Sequence, residues 1–262
     1  YEISTRDWSS DVCSSDLESV VQPERYFKTN LVGSITLLDA AVAVGVKRFV
    51  FSSSAAVYGA PSSSVLHEEL PLAPINPYGA TKAAFEQVLR AYASAHGIAA
   101  HALRYFNVAG ATERVSERHS PETHLLPRLM RAALAGEPFE LYGNDYTTPD
   151  RTAIRDYVHV ADVAAAHVAA VERIGAADAA GFSAINIGSG AGTSVREAIT
   201  AIERASGAAI DVRQHPRRAG DPPRLVADIS RAQNLLRWRP RQSDINRRSE
   251  EHTSELQSRV DI

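Results

Sequence analysis

The sequence predicts an α/β fold in which a parallel sheet is covered by helices on both faces. Segments with apolar residues at helical spacing alternate with short apolar runs that are typical of buried strands. Glycine follows several of the helical segments, as it commonly does at helix ends. Strand–helix alternation indicates a parallel sheet, because a crossover helix brings the next strand back in the same direction. Ligands of such sheets bind beyond the carboxyl ends of the strands.

The first predicted helix runs from Asn30 to Val46, and Gly45 ends it. The next segment, from Lys47 to Ser52, contains the apolar run RFVF and predicts a buried strand. This helix is predicted from apolar residues at helical spacing: Leu31, Ile35, Leu38, Ala41 and Val42.

A second helix is predicted over residues 80–96, with Gly97 as its stop, and a strand from Ala100 to Phe106 follows it. Beyond Gly110 the pattern is looser and predicts a smaller substrate-covering unit. Its predicted elements are a loop and helix between His119 and Gly136, a turn-rich stretch from Tyr142 to Pro149, a strand from Asp156 to Val160, a helix to about Ile174, a strand from Ala184 to Ile187 and a helix from Val195 to Ser206.

The composition excludes several classes of function. The chain has 262 residues, 44% hydrophobic and 23% charged, which allows a sizeable core. A net charge of -3 gives no reason to expect nucleic acid or an anionic membrane as a partner. No apolar run approaches the roughly 18 residues that span a bilayer, and no secretory signal opens the chain. Cys13 is the single cysteine, so an internal disulfide framework and a thiolate zinc site are excluded, and we expect a cytoplasmic protein.

Both ends of the sequence lack the periodicity of the central part. Residues 7–17, DWSSDVCSSDL, and 248–258, RSEEHTSELQS, are polar and show neither helical nor strand spacing. Read back into codons, each resembles part of a sequencing-library adapter. We therefore predict that 1–17 and 247–262 are non-native flanks, which leaves residues 18–246 for fold reasoning.

The segment NPYGATK (residues 76–82) contains the first candidate for chemistry. Tyr78 and Lys82 lie four positions apart at a predicted helix start, so their side chains share one face. An ammonium beside a phenol stabilises phenolate and lowers the pKa of the tyrosine, which would suit it as a general base or acid. An ordinary helix start with a solvated lysine is the alternative.

Seven segments in order resemble one family, the extended short-chain dehydrogenases/reductases that include the NAD-dependent epimerases and dehydratases. The resemblance covers nearly all of residues 18–246. It rests on FSSSAAVYG (51–59), NPYGATK (76–82), RYFNVAGA (104–111), HLLP (124–127), IRDYVHVAD (154–162), INIGSGAGTSV (185–195) and PRRAGDPP (216–223).

This resemblance implies a Rossmann-like, NAD-binding domain over residues 18–110 and a smaller α/β substrate-binding domain over 111–246, partly interleaved with the first. The implied activity is that of a sugar-nucleotide 4-epimerase, which interconverts UDP-glucose and UDP-galactose through a 4-keto intermediate with bound NAD. Another nucleotide-sugar 4-epimerase, a 4,6-dehydratase and a non-catalytic remnant that binds UDP-sugar stay open as alternatives. Members of the family commonly form homodimers through the helices that correspond to 31–45 and 80–96.

The resemblance also assigns site residues. Tyr78 would move the proton of the sugar 4-hydroxyl, Lys82 would hold the nicotinamide ribose, and Ser54 would bind the reacting hydroxyl. A strand-end serine satisfied by the backbone is the alternative for Ser54. The implied cofactor-binding residues are Asn30, Ser52, Ser53, Ser54, Tyr78, Lys82 and Phe106. The implied substrate-binding residues are Ser54, Tyr78, Asn107, His124, Arg155, Arg218 and Asp221.

Guanidinium groups suit the UDP diphosphate, and these roles fall on Arg155 and Arg218, with Asp221 on the ribose hydroxyls. For Arg155 a structural salt bridge is the alternative. His159 and Asp162 lack a third metal ligand, so we interpret them as part of a helix N-terminus.

The sequence departs from the family pattern in two places. The family opens with a GxxGxxG turn that seats the dinucleotide pyrophosphate, and none precedes Glu18, so we expect the first three or so strand–helix units to be missing. The later GSGAGTS (188–194) is interpreted as a tight turn with Thr193 or Ser194 as N-cap. Arg151 stands where relatives usually carry glycine.

Dehydratases commonly carry an Asp-Glu pair after the residue equivalent to Ser54, and here Ala55 and Ala56 follow, which favours an epimerase.

Overall fold

The computed structural model describes residues 18–112, 124–174, 181–217 and 221–243. The flanks predicted at 1–17 and 247–262 lie outside these residues. In chain order the elements are helix α1 in three consecutive segments (Pro23–Tyr26, Phe27–Gly33 and Ser34–Ala43), β1 (Arg48–Ser54), β2 (Val65–Leu66), α2 (Pro77–His96), β3 (Ala99–Tyr105), β4 (Asn107–Ala109), α3 (Leu125–Ala135), β5 (Phe139–Tyr142), β6 (Ile154–His159), α4 (Val160–Arg173), β7 (Gly181–Ile187), β8 (Gly192–Ser194), α5 (Val195–Ser206), β9 (Val212–His215) and β10 (Arg224–Ala227). A short 3₁₀ turn, Ala55–Tyr58, and a π-helical turn, Ala232–Leu236, complete them.

The central sheet is parallel and has the strand order β1-β3-β7. All seven residues of β3 are buried, because helices cover both faces of this strand. On one face α1 and α2 pack through Leu38, Phe85 and Leu89. On the other face α4 and the 232–236 turn pack around Leu103 and Ile185. The predicted parallel sheet with helices on both faces is confirmed.

Helix α1 differs from its prediction in extent and in geometry. It begins at Pro23 rather than Asn30, ends at Ala43, and its middle segment, Phe27–Gly33, is π-helical. The predicted apolar face is correct, since Leu38 is fully buried. Gly45 has a φ of 79°, in the left-handed region that favours glycine, and so forms the turn into β1.

Helix α2 begins three residues earlier than predicted, because the sequence supplies a cap there. The Oδ1 atom of Asn76 accepts a 2.8 Å hydrogen bond from the backbone N–H of Gly79, and Pro77 occupies the first helical turn, where it needs no N–H partner. Gly97, with a φ of 62°, ends the helix as predicted.

The second half of the chain forms two smaller sheets. One has the order β2-β10-β6-β4, with β8 antiparallel to β6, and the other pairs β5 with β9. Helices α3 and α5 pack together over a core that includes Leu129 and Ile202. The strand β7 belongs to this half of the chain but pairs with β3 in the central sheet. Among the described helices, none has the length and apolar character that a membrane crossing requires.

Candidate active site

The carboxyl end of β1 carries three consecutive serines. Ser53 and Ser54 are each 1% exposed, and Ser52 is half-buried. The Oγ atom of Ser54 accepts a 3.2 Å hydrogen bond from the backbone N–H of Ala56 and so caps the 3₁₀ turn that follows. This is the backbone contact that the structural alternative for Ser54 anticipates. The bond uses an oxygen lone pair, so the hydroxyl proton of Ser54 remains a possible donor to a ligand.

Helix α2 brings Tyr78 and Lys82 to the same strand end. The Nζ atom of Lys82 lies 5.6 Å from the centre of the Tyr78 ring, as the spacing predicts, and donates a 2.9 Å hydrogen bond to the carbonyl oxygen of Ser52. Burial lowers the pKa of Lys82 to about 8. The alternative of a fully solvated lysine is therefore wrong for this structure.

Close packing of α2 against the turn after Ser54 brings the start of the helix beside this strand end. A Cβ atom at Gly79 would lie 2.6 Å from the carbonyl oxygen of Ala56, so only glycine allows this approach. Since Lys82 is bonded to Ser52 and Gly79 contacts Ala56, the helix touches β1 and its turn on both sides of Ser54. Tyr78 is 4% exposed, and the ring of Tyr26 packs edge-on against it at 6.2 Å.

The other predicted cofactor residues lie on neighbouring elements. Asn30, in the π-helical segment, donates a hydrogen bond of 3.4 Å to the hydroxyl oxygen of Thr81 on α2. Phe106 is 2% exposed, and its backbone N–H bonds to the Ile187 carbonyl oxygen at the end of the central sheet. Asn107, a predicted substrate-binding residue, begins β4 and is half-buried.

Two of the predicted diphosphate and ribose ligands contact each other. Arg155 of β6 forms a salt bridge with Asp221, which is the structural alternative for Arg155. The hydroxyl of Tyr146 donates a 2.8 Å hydrogen bond to the second oxygen of Asp221, and burial and this carboxylate raise the pKa of Tyr146 to about 12. Arg218 lies outside the described residues.

His124 is the residue before α3 and is half-buried. Burial lowers the pKa of His124 to about 4, so its imidazole is neutral near pH 7. A neutral imidazole suits a hydrogen-bonding role towards a nucleotide better than ion pairing with its phosphates.

The glycine-rich turn at 188–194 is not a phosphate cradle. Its N–H groups at Ser189 and Gly190 already donate to the buried carboxylate of Asp156, at 2.6 and 3.0 Å. Ser194 caps α5 in a capping box with Glu197, which confirms the interpretation as a strand-to-helix turn.

His159 and Asp162 form a helix N-terminus, as predicted. The Nδ1 atom of His159 accepts a hydrogen bond from the N–H of Ala161, and Asp162 accepts bonds from Arg241 and Gln242. Within the described residues, no group of three or more metal-ligating side chains exists.

Sequence reasoning missed several side chains around the site, among them Tyr26, Tyr58, Glu86, Arg104 and Tyr146. For Arg104 the sequence contains one indication, because a charged residue inside the predicted buried strand HALRYF requires a buried partner. Its partner lies on another element, so no local pattern identifies it.

Comparison with known proteins agrees with this geometry. A model of the NAD dependent epimerase/dehydratase family matches residues 13–188. The UDP-glucose 4-epimerase of Corynebacterium glutamicum is 43% identical over 229 residues, which are 87% of this chain and 69% of that protein. The enzyme of the same name from Streptomyces lividans is 44% identical over 87% of this chain and 68% of its own length.

Solved structures give the same result. The UDP-glucose 4-epimerase from Brucella ovis in complex with NAD superposes with a TM-score of 0.87 at 42% identity, covering 94% of this chain and 75% of that one. The enzyme from Bifidobacterium longum in complex with NAD+ and UDP gives 0.83 at 36% identity, over 93% and 73%. With the paired Tyr78 and Lys82 beside a serine-tipped strand, these matches show that the chain belongs to the NAD-dependent epimerase/dehydratase family.

Proposed function

We propose that this chain is a UDP-glucose 4-epimerase that interconverts UDP-glucose and UDP-galactose with NAD as its cofactor. The observation that carries the proposal is the contact of Lys82 with both Tyr78 and the strand end that bears Ser54. Relatives named UDP-glucose 4-epimerase at 41–45% identity support the substrate.

Tyr78 is proposed to take the proton of the sugar 4-hydroxyl and to return it after the 4-keto sugar has turned over. The positive charge of Lys82 beside the ring favours the phenolate form that this step needs. Ser54 would bind the same hydroxyl through its own O–H and keep it oriented. The buried position of Tyr78 and Ser54 excludes water from the transferred proton.

The residues present fit the nicotinamide end of NAD. Hydroxyl and ammonium groups at the carboxyl edge of a parallel sheet are suitable donors for ribose hydroxyls. Lys82, Ser52 and Asn30 are proposed to serve there, with Phe106 against the nicotinamide ring. The hydroxyl of Ser53, which was also predicted to bind the cofactor, instead donates to Glu86. When bound, NAD would accept the hydride of sugar C4 and give it back.

The described residues favour an epimerase over a 4,6-dehydratase. Elimination of water needs an added acid and base beside the reacting sugar. The 3₁₀ turn directly after Ser54 begins with Ala55 and Ala56, which carry neither.

The diphosphate is proposed to bind at Arg155 and Arg218, with Asp221 on the ribose and with His124 and Asn107 nearby. Arg155 and Asp221 are paired with each other in this structure, so the guanidinium would have to exchange part of this bond for phosphate oxygens when UDP-sugar enters. Residues 18–110 would then form the main cofactor domain, and 111–246 the main substrate domain.

We also propose that the chain forms a homodimer through α1 and α2. Exposed apolar side chains support this, since Val32 and Leu37 of α1 are 57% and 46% exposed and Val44, directly after the helix, is 79% exposed. Light scattering of the purified chain should give twice the monomer mass, and Leu37→Glu should return it to the monomer.

The test of the function is conversion of UDP-galactose to UDP-glucose with added NAD. Tyr78→Phe is expected to reduce kcat by at least about 100-fold, because it removes the proton-carrying hydroxyl. Tyr92→Phe on the same helix is the matched control, since its hydroxyl bonds to Asp39 at the surface, and it should keep full activity. Binding of UDP without turnover by the unchanged chain would instead support the non-catalytic alternative.

A further inference from the structure

A buried ion pair lies one helical turn beyond Lys82. Arg104 of β3 donates from Nε and Nη2 to both carboxylate oxygens of Glu86 on α2, at 3.0 and 2.6 Å, and each side chain is 3% exposed. Two parallel bonds of this kind fix the relative orientation of the two groups as well as their distance.

The pair is surrounded by further partners that satisfy its remaining hydrogen-bonding capacity. The hydroxyl of Ser53 donates to Glu86 at 2.5 Å, and Nη1 of Arg104 donates to the hydroxyl oxygen of Tyr58 at 2.9 Å. Tyr58 in turn donates to the side chain of Asn186 on β7 at 2.7 Å. The network therefore joins α2 to β1, to β3, to the turn after Ser54 and to β7.

Stability alone does not account for this arrangement. A buried ion pair loses hydration that its attraction only partly recovers, and well-packed apolar residues often serve as well. On either side of Glu86, α2 uses such residues, with Phe85 and Leu89 in a cluster with Phe51 of β1. Apolar contacts are non-directional and tolerate small rotations of a helix, whereas a bidentate pair does not.

We propose that Glu86 and Arg104 are positioning residues, which fix the rotation of α2 so that Tyr78 and Lys82 face the end of β1 at Ser54. Residues 78, 82 and 86 are spaced four apart and lie along one face of α2. Ser53, the neighbour of Ser54, is bonded to the same carboxylate, so the strand end and the helix are held by one group. The inference rests on the function proposed above, because the orientation matters for that site.

The test is a double variant, Glu86→Leu with Arg104→Met, observed through Lys82. The sequence contains only three lysines, so a chain labelled with 13C-lysine gives three resolvable side-chain signals, with Lys28 and Lys47 as internal references. If the pair positions α2, Lys82 should lose its contact with Ser52 and gain water, and its pKa should rise by about one unit or more towards that of a free lysine. The thermal midpoint should fall, because the double variant also removes the acceptor of the buried Ser53 hydroxyl.

Leu129→Ala is the control for general destabilisation, because Leu129 is fully buried in a separate cluster with α3 and α5. It should lower the thermal midpoint and leave the Lys82 signal unchanged. An unchanged Lys82 titration in the double variant would overturn the proposal. The measurement needs no turnover, so its failure is distinguishable from failure of the proposed activity.

Discussion

The side chain of Lys82 is bonded from Nζ to the backbone carbonyl oxygen of Ser52, at 2.9 Å, so a cation on a helix is attached to the strand that bears Ser54. The amine reaches the strand through the interior and lies over the rings of Phe51 and Tyr78. A carbonyl oxygen and two aromatic faces stabilise an ammonium, but less completely than water does. This explains why the pKa of Lys82 is lowered.

The first prediction concerns the pH dependence of stability. The pKa of Lys82 is lowered from 10.5 to about 8 in the folded chain, so the charged amine opposes folding. This opposition is fully present below pH 8 and disappears as the pH rises from about 8 to 10.5. Lys82→Met should therefore stabilise the chain at pH 7, on the order of 2 kcal/mol. The advantage should shrink at pH 9 and 10 in urea unfolding, and an advantage that grows with pH would contradict the assignment.

The second prediction follows from the backbone at Arg151. This residue has a φ of 66°, where a side chain costs about 1–2 kcal/mol and glycine costs little. Arg151→Gly should raise the free energy of unfolding by about 1 kcal/mol. Arg151→Ala is the matched control, because it removes the same exposed side chain and keeps the strain. Equal effects of the two substitutions in urea unfolding would show that the conformation is not the cause.

Asp156 gives the third prediction, because its buried carboxylate accepts four hydrogen bonds. They come from the N–H and hydroxyl of Ser189, the N–H of Gly190 and the N–H of Ala227. Asp156→Asn would direct an NH₂ group at these donors and should cost about 2–4 kcal/mol. Ser189→Ala leaves the carboxylate in place, removes its bond from the hydroxyl together with the bonds of that hydroxyl to Ala191, and should cost about 1 kcal/mol. Thermal or urea unfolding measures both, and equal costs would mean that the carboxylate does not organise the turn.

The fourth prediction concerns the contact of Tyr146 with Asp221. Tyr146→Phe removes the 2.8 Å bond that orients the Asp221 carboxylate and leaves the buried ring in place. If Asp221 binds the ribose of UDP, UDP affinity should fall by roughly tenfold or less, corresponding to about 1 kcal/mol. Calorimetric titration with UDP measures the change. Tyr142→Phe, on the nearby half-buried tyrosine that ends β5, provides the comparison.

The periodic parts of the fold could be predicted from the sequence, because each carries its signal locally. Leu38 lies on the predicted apolar face of the first helix and is fully buried, and Leu89, within the helix predicted over 80–96, is fully buried as well. The short pair β5 and β9 was missed, since four residues are too few to show a period and their partner strand is distant in sequence.

The candidate site contains both kinds of contact, local ones that the sequence predicts and distant ones that it does not. Tyr78 and Lys82 are neighbours on one helix, so their contact could be predicted from spacing alone. Arg155 and Asp221 are 66 positions apart, and Glu86 and Arg104 are 18 apart on different elements. Such pairs depend on tertiary packing, which no local pattern records.

The π-helical segment Phe27–Gly33 has a consequence for how deletions would act on this chain. A π-helical turn accommodates an additional residue within an otherwise α-helical run. Deleting one of these seven residues would let α1 close into continuous α-helical bonding, and the residues before the deletion would keep their orientation around the axis. Deleting a residue of Ser34–Ala43 removes no surplus and would rotate everything before it by about 100°. Tyr26, whose ring meets Tyr78 edge-on, should therefore keep this contact after the first deletion and lose it after the second.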